Sequence, residues 1–166
     1  MTGSGKLKSI SDMSGISREL RGRGKTLVFT NGCFDLIHVG HVRYLRAAKA
    51  LGDKLVAAVN SDASIRRIKG SSRPIIPEDE RMELLAALEM VDYVTGFNES
   101  DPERIIKEIK PQVLVKGADW APDKIIGRDI VEQHGGKVVL IPEIKGFSSS
   151  GIINEILSRH SQPSSE

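Results

Sequence analysis

The sequence alternates short, β-branched apolar runs with segments of helical periodicity along most of its length. The apolar runs predict five buried strands, at residues 26–30, 54–59, 93–96, 112–115 and 137–141. The periodic segments predict helices at residues 39–51, 78–90, 102–109, 125–134 and 150–159. Successive parallel strands joined by helices require right-handed crossovers. We therefore predict an α/β, doubly wound domain with a five-stranded parallel sheet.

The length of 166 residues and an apolar content of 39% fit one compact domain with its own core. We place this domain at residues 16–160. Residues 1–15 are rich in Gly, Ser and Lys, which predicts a flexible leader, and residues 161–166 are expected to form a flexible tail.

Composition excludes several classes of protein. The 24 basic and 22 acidic side chains leave a net charge of +2, which argues against a nucleic-acid partner. The single cysteine, Cys33, excludes an internal disulfide framework and a zinc site built on four thiolates. No run approaches the ~20 apolar residues of a membrane span, so we predict a cytoplasmic protein without a membrane partner.

The most informative stretch is residues 30–41, where the first predicted strand ends and the first long helix begins. His38 and His41 are three residues apart at this helix start, so they project from nearly the same face. Free backbone N–H groups and the helix dipole favour a phosphate at such a position. Gly40 leaves room for a ligand lying across the first turn. The spacing therefore predicts a triphosphate site.

Two other interpretations of the histidines stay open. They could form a capping pair, or they could bind a metal ion. Zinc is less attractive because Asp35 is the only evident third ligand nearby, and we predict no metal site of the protein's own.

Two further loops are expected at the same edge of the sheet. Residues 116–120 follow the fourth predicted strand, so they should line the same pocket. Trp120, the last of them, could equally pack in the core. The serines at 148–150 precede the last helix, where they could cradle a second phosphate or simply cap the helix.

At these residues the sequence resembles the nucleotidyltransferase superfamily whose signature is His-x-Gly-His. Beyond the signature it is similar to bacterial D-glycero-D-manno-heptose 1-phosphate adenylyltransferases over the whole core. The matching segments, in order, are Asn31-Gly32-Cys33-Phe34-Asp35, Leu51-Gly52-Asp53, Asn60-Ser61-Asp62, Lys69-Gly70, Arg73-Pro74-Ile75, Val91-Asp92-Tyr93, Lys116-Gly117-Ala118-Asp119 and Gly135-Gly136.

The resemblance implies a Rossmann-like fold and an activity. The activity is transfer of the adenylyl group of ATP to heptose 1-phosphate, giving ADP-heptose and pyrophosphate for lipopolysaccharide or capsule synthesis. It also implies Mg²⁺ carried with ATP, and a homodimer or higher homo-oligomer. The family occurs as a separate protein or as the second domain of a bifunctional kinase.

The resemblance also implies roles for individual residues. The catalytic residues would be His38, His41 and Lys69, whose neighbours Arg66 and Arg67 fit a solvated face equally well. The nucleotide would be bound by Thr30, Gly32, Cys33, Phe34, Gly40, Lys116, Gly117, Asp119, Trp120, Phe147, Ser148, Ser149 and Ser150. The sugar phosphate would be bound by Asn31, Asp35, Arg73 and Arg81. For Arg81 a surface ion pair is an equal alternative, and for Cys33 we favour loop packing over any chemical role.

Two rival functions remain. The chain could use another small phosphate, such as glycerol 3-phosphate with CTP. Cytidylyltransferase relatives, however, carry an arginine where this sequence has Glu143. It could also be a nucleotide-binding module without catalytic activity, which would leave the histidines, Lys69 and the serine run unexplained.

Overall fold

A computed structural model describes residues 5–118, 121, 124–142 and 146–160, and its centre is a five-stranded parallel sheet. The strands are β1 (Leu27–Gly32), β2 (Lys54–Asn60), β3 (Tyr93–Phe97), β4 (Val113–Gly117) and β5 (Lys137–Ile141). Their order across the sheet is β3-β2-β1-β4-β5. The predicted fold class and all five predicted strands are confirmed.

The helices in the described part of the chain are α1 (Ile10–Gly22), α2 (Val39–Lys49), α3 (Asp62–Lys69), α4 (Glu78–Ala87), α5 (Glu103–Ile109), α6 (Arg128–Gln133) and α7 (Ser149–His160). Five of them match predicted helices, while α1 and α3 were not predicted. Helix α3 is only eight residues long and half of them are charged, and it is fixed at its start by the Ser61 side chain, which accepts from the Ser64 amide. None of these helices combines the length and apolarity that crossing a bilayer requires.

The structure corrects the expectation of a flexible leader at residues 1–15. Residues 1–4 lie outside the described residues, but the segment from Gly5 onward is ordered against the sheet. Helix α1 starts with a capping box between Ser9 and Asp12, and the Met13 side chain is fully buried. Ile10, Ile16 and Leu20 pack against the same core cluster as Met13. This apolar stripe was obscured by the polar residues between its members. The predicted tail, residues 161–166, lies outside the described residues.

Helices cover both faces of the sheet. On one face, Val28, Leu55 and Val115 pack with Leu45 of α2 and Leu85 of α4. On the other face, apolar strand residues pack with α1, α5 and α6, through Leu27, Phe29, Val56, Ala58, Leu114, Met13, Ile105, Ile106, Ile109 and Val131. Because alternate strand residues point to opposite faces, each strand contributes to both clusters.

The strand order reverses beside β1. The chain passes from β1 to β2 on one side and later returns to place β4 on the other side. In open parallel sheets, this switch point leaves a crevice at the carboxyl ends of the strands, where ligands bind. Parallel pairing sets Gly32 opposite Val59, and Val59 opposite Gly96, so the loops after β1, β2 and β3 lie side by side.

Candidate active site

A cavity of about 530 Å³ opens at the carboxyl ends of the strands. This volume lies within the usual range for small-molecule sites. The predicted site residues that line it are Asn31, Gly32, Cys33, Phe34, Asp35, His38, Gly40, His41, Lys69, Arg73, Lys116, Gly117, Phe147, Ser148, Ser149 and Ser150. The fold therefore gathers residues from five separate segments around one space.

The two histidines are stacked at the start of α2. Their ring centroids are 3.9 Å apart, with 27° between the ring planes. The His38 backbone N–H donates to Nδ1 of His41 at 3.4 Å. An accepting Nδ1 carries no proton, so this contact assigns the proton of neutral His41 to Nε2. Nε2 is then a hydrogen-bond donor suited to a phosphate oxygen.

The surroundings of both imidazoles favour the neutral form in the ligand-free protein. Burial, together with the adjacent His38 and Lys69, lowers the pKa of His41 to about 4. Burial likewise lowers the pKa of His38 below its ordinary value. Among the described residues, Nδ1 of His38 is buried without a hydrogen-bond partner. A neutral imidazole carries one N–H group, so each ring can donate one hydrogen bond to a phosphate oxygen.

Gly40 is required by the packing of the histidine corner. A Cβ atom at this position would lie 2.9 Å from Cε1 and Nδ1 of His38 and 3.0 Å from Cβ of Phe147. The Phe147 ring faces the His38 ring, with centroids 6.5 Å apart. The guanidinium carbon of Arg43 lies over the Phe147 ring, 5.8 Å from its centroid. The glycine thus permits the close approach of α2 to the loop that precedes α7.

Phe34 supports the corner from within the core. Its side chain is only 5% exposed, and its ring lies 5.6 Å from the His41 ring at a tilt of 58°. Its φ angle of 47° is unusual for a residue with a side chain, and such conformations persist only where packing fixes them. Because its ring is buried, the part of Phe34 that a ligand could contact is its backbone.

Asp35 and Arg73 form a buried ion pair beside the cavity. Nε of Arg73 donates to Asp35 at 2.6 Å, and the amides of Ile75 and Ile76 donate to the same carboxylate at 2.9 to 3.0 Å. Burial acts to raise the pKa of Asp35, but these amides and Arg73 outweigh it, so the pKa is lowered. The carboxylate therefore fastens the loop at residues 70–77 to the loop after β1.

Arg73 keeps part of its guanidinium available. Its Nη1 lies 3.5 Å from the Ser150 hydroxyl, and its Nη2 is buried with no hydrogen-bond partner among the described residues. A buried cationic donor without a partner is costly. An anion in the cavity would satisfy it, and this favours Arg73 over Asp35 as the direct ligand of a phosphate.

Two lysines add positive charge. Lys69 is the last residue of α3, is exposed, and lies close enough to His41 to lower the pKa of that residue. Lys116, at the end of β4, donates to Oδ1 of Asn31 at the end of β1.

Burial raises the pKa of the nearby Cys33 thiol, which fits a packing role.

The serine run both caps α7 and faces the cavity. The Ser148 hydroxyl oxygen accepts from the Gly151 amide at 2.9 Å, which is the geometry of an N-cap. The Ser149 hydroxyl donates to the Leu36 carbonyl at 3.1 Å. The capping interpretation therefore holds for Ser148, whose O–H remains a potential donor to a ligand.

Several predicted residues are placed differently. Thr30 is fully buried, and its hydroxyl pairs with the Tyr44 hydroxyl at 2.8 Å, so its side chain belongs to the core. Arg81 is also fully buried. Its guanidinium bonds to the Cys33 and Asn60 carbonyls and forms an ion pair with Asp62, so protein groups already engage it, and the pair lies below the surface on the arginine side. Asp119, Trp120 and Glu143 lie outside the described residues.

The structure adds lining residues that the sequence did not indicate. They come mainly from the end of β2, the end of α3, the loop after β3 and the segment before α6, and are Tyr44, Asn60, Ile68, Ser100, Asp101, Pro102, Ile126, Ile141 and Pro142. The predicted topology already placed the loop after β3 at this edge, so its Ser and Asp could have been suspected.

A parallel α/β sheet with a neutral histidine pair, a buried arginine and a serine-capped helix around one cavity defines a nucleotide-binding protein of the nucleotidyltransferase type. Comparison with known proteins agrees with this class. A family model described as cytidylyltransferase-like matches residues 29–155. The chain belongs to the cytidylyltransferase-like family, which confirms the resemblance seen in the sequence.

Individual relatives narrow the comparison. The bifunctional protein HldE of Geobacter metallireducens is 50% identical over 157 residues, which are 95% of this chain and 32% of that protein. HldE of Syntrophotalea carbinolica is 52% identical over 155 residues, 93% of this chain and 31% of that protein. The chain thus spans about a third of the length of the curated relatives it matches. A crystal structure of the lipopolysaccharide core biosynthesis protein from Thermoplasma volcanium matches with a TM-score of 0.61 and 32% identity, covering 75% of this chain and 100% of that one.

Proposed function

We propose that this chain transfers the adenylyl group of ATP to D-glycero-D-manno-heptose 1-phosphate, giving ADP-heptose and pyrophosphate. The observation that carries the proposal is the stacked pair of His38 and His41, which lines the same cavity as Lys69 and Arg73. The similarity to HldE proteins at about 50% identity supports the choice of heptose, because heptose 1-phosphate adenylyltransferases also occur as one domain of a bifunctional kinase.

The two substrates occupy opposite sides of β1 in this proposal. The nucleotide lies toward β4 and β5, because Lys116 and Gly117 and the serine run line that side of the cavity. The sugar phosphate lies toward β2 and β3. Neighbouring strands are about 4.8 Å apart, so the loop after β3 is roughly 10 Å from the end of β1. A sugar ring with its phosphate fits that span.

The reaction is an in-line displacement at the α-phosphorus. An oxygen of the sugar phosphate forms a bond to this phosphorus, and the bond to the bridging oxygen of the departing pyrophosphate breaks. The attacking phosphate is already ionised, so no general base is required. The protein contributes positioning and charge stabilisation. Nε2 of His41 donates to an α-phosphate oxygen, while Lys69 and Arg73 neutralise the charge that the two substrates bring together.

Magnesium is expected to enter with ATP. Asp35 lines the cavity with the histidines, and its oxygens are engaged by Arg73 and two amides. Within the described ranges no group of three His, Cys, Asp or Glu side chains could hold a metal ion. This donor set fits an ion held by phosphate oxygens and water, which supplies charge neutralisation at the triphosphate.

The test is pyrophosphate release with ATP, Mg²⁺ and a panel of sugar 1-phosphates that includes both anomers of the heptose phosphate. We expect release with one heptose anomer, and its loss in His41→Ala. His134→Ala is the matched control, because His134 is exposed in the turn after α6. Pyrophosphate release with glycerol 3-phosphate and CTP would show that these compounds, and not the proposed pair, are the substrates. ATP binding without release from any acceptor would favour a non-catalytic module.

The proposal also covers the oligomeric state of the protein and its location in the cell. By resemblance to the family we expect a homodimer or higher homo-oligomer in the cytoplasm. Analytical ultracentrifugation of the purified chain tests the dimer, and a sedimentation coefficient of one chain at micromolar concentration would contradict it.

A further inference from the structure

Arg81 lies on α4, beneath the cavity, and its side chain is fully buried. Its Nε donates to the Ile76 carbonyl at 2.9 Å, and its Nη1 donates to the Cys33 carbonyl at 2.5 Å. Its Nη2 donates both to the Asn60 carbonyl at 2.9 Å and to the Asp62 carboxylate at 2.7 Å. One side chain therefore joins the ends of two strands, the start of a helix and a loop.

Each of these anchors belongs to a different segment of the proposed site. Cys33 lies in the loop that leads from β1 to the histidine pair. Asp62 begins α3, which carries Lys69 at its other end, about 10 Å away at 1.5 Å per residue. Ile76 lies three residues after Arg73 in the loop that Asp35 fastens.

Peptide geometry links the Cys33 carbonyl, which Arg81 holds, to the orientation of the next amide. In a planar trans peptide the C=O and N–H groups point in opposite directions. Because Arg81 holds the Cys33 carbonyl from the core side, the Phe34 N–H faces away from Arg81. Phe34 lines the cavity and adopts a left-handed φ of 47°, so the orientation of this amide is set by its surroundings.

We propose that Arg81 is a positioning residue: its buried guanidinium holds the histidine loop, α3 and the Arg73 loop at fixed distances from one another. This inference rests on the proposed adenylyl transfer. Packing alone does not explain the residue, because a buried guanidinium is costly to desolvate and an apolar side chain of similar volume would fill the space. The planar fork, unlike an ammonium or a thioether, can reach carbonyls in several directions at once.

The test compares Arg81→Lys and Arg81→Met with Leu85→Ala, which removes a fully buried side chain one turn further along α4 and leaves the cavity lining intact. The thermal unfolding of each variant is measured first, and the assays are run at a temperature at which every variant is folded. We expect kcat to fall about 100-fold or more in Arg81→Lys, since displacements near 1 Å at a reacting centre cost this much. We expect the KM values for both substrates to change less than about threefold, and Leu85→Ala to keep kcat within about threefold.

A second readout does not depend on turnover. Side-chain NMR of the four histidines should show the His38 and His41 ring signals displaced in Arg81→Lys, with those of His134 and His160 unchanged as internal references. Leu85→Ala should leave all four unchanged. Equal kcat in Arg81→Lys and Leu85→Ala, or unmoved His38 and His41 signals, would overturn the positioning role. A raised KM for the sugar phosphate at unchanged kcat would also overturn it, because Arg81 would then act as a direct ligand. Failure of the wild type to release pyrophosphate would reject the proposed function, and the NMR comparison would still decide on Arg81.

Discussion

The carboxylate of Asp35 and the Nε atom of Arg73 are 2.6 Å apart, and the Asp35 side chain is completely shielded from solvent. The pair joins the loop after β1 to the loop that follows α3.

We predict that Asp35→Ala destabilises the protein by about 3–5 kcal/mol, because it leaves the Arg73 charge buried without its partner. Urea unfolding measures this change. Glu19→Gln is the control: its partner Arg23 and Glu19 itself are 71% and 61% exposed, and such surface pairs contribute about 0–1 kcal/mol. Equal small effects of the two substitutions would show that the buried pair adds little.

A methyl group at Gly40 should damage the site while sparing the fold. In Gly40→Ala the new Cβ would press on His38 and Phe147. Overpacking of this kind costs about 1–3 kcal/mol, which corresponds to a roughly 5- to 150-fold loss of kcat/KM if it displaces the histidine. Gly22→Ala, on α1 with open space around its Cβ, is the matched control and should retain full activity. Pyrophosphate release at saturating ATP compares the two, and an unimpaired Gly40→Ala enzyme would contradict the packing argument.

His41 should titrate near pH 4 in the free protein, because its pKa is lowered from 6.5 to about 4. A depressed histidine pKa means that the unfolded chain binds more protons between these values. The free energy of unfolding should therefore fall as the pH is lowered from about 6.5 to about 4, and less steeply in His41→Gln.

NMR titration of the His41 ring checks the value directly. Bound Mg-ATP should raise the His41 pKa, since nearby phosphate oxygens favour the imidazolium. A midpoint near 6.5 in the free protein, or no upward shift with nucleotide, would be inconsistent with a buried histidine facing the triphosphate.

Asp101 is predicted to recognise hydroxyl groups of the sugar. It lines the cavity in the loop after β3, and one carboxylate oxygen accepts from the Glu103 amide at 2.9 Å. Asp101→Asn preserves that amide contact but removes the charge and one acceptor. We expect the KM for the sugar phosphate to rise about tenfold with the KM for ATP unchanged, because hydrogen bonds to charged groups contribute about 1.5–3 kcal/mol.

Steady-state kinetics with each substrate varied in turn separates these effects. Glu103→Gln serves as the control, because that side chain pairs with Lys107 on the exposed face of α5. A raised KM for ATP with an unchanged KM for the sugar phosphate would place the nucleotide, not the sugar, near this loop.

The sheet and the histidine corner were predictable because their signals are local in sequence. Apolar runs mark buried strands, and His38 and His41 follow the first of them directly. Helix α3 was missed although Ser61 gives it a local N-cap, because it is only eight residues long and half of them are charged. Its placement also depends on a contact distant in sequence: the Ser64 hydroxyl donates to the Glu99 carbonyl, 35 residues away. No local pattern encodes such a contact.

The roles of the charged residues near the cavity could not be read from their types alone. Asp35, Arg73 and Arg81 all suggest substrate contacts in the sequence. Burial and hydrogen-bond direction separate them: Asp35 and Arg81 hold backbone groups, while one nitrogen of Arg73 has no partner among the described residues. The predicted topology placed the loop after β3 at the edge of the cavity, but nothing in the local sequence of Asp101 distinguishes a cavity wall from a helix start.

The segment before α1 also covers one edge of the sheet. Strand β3 is an edge strand, yet its Val94 amide donates to the Lys6 carbonyl and its carbonyl accepts from the Lys8 amide, both at 2.9 Å. Unpaired strand edges are templates for intermolecular strand addition. Because the residues around Leu7 occupy this edge, a strand of another chain cannot pair with it there and start aggregation.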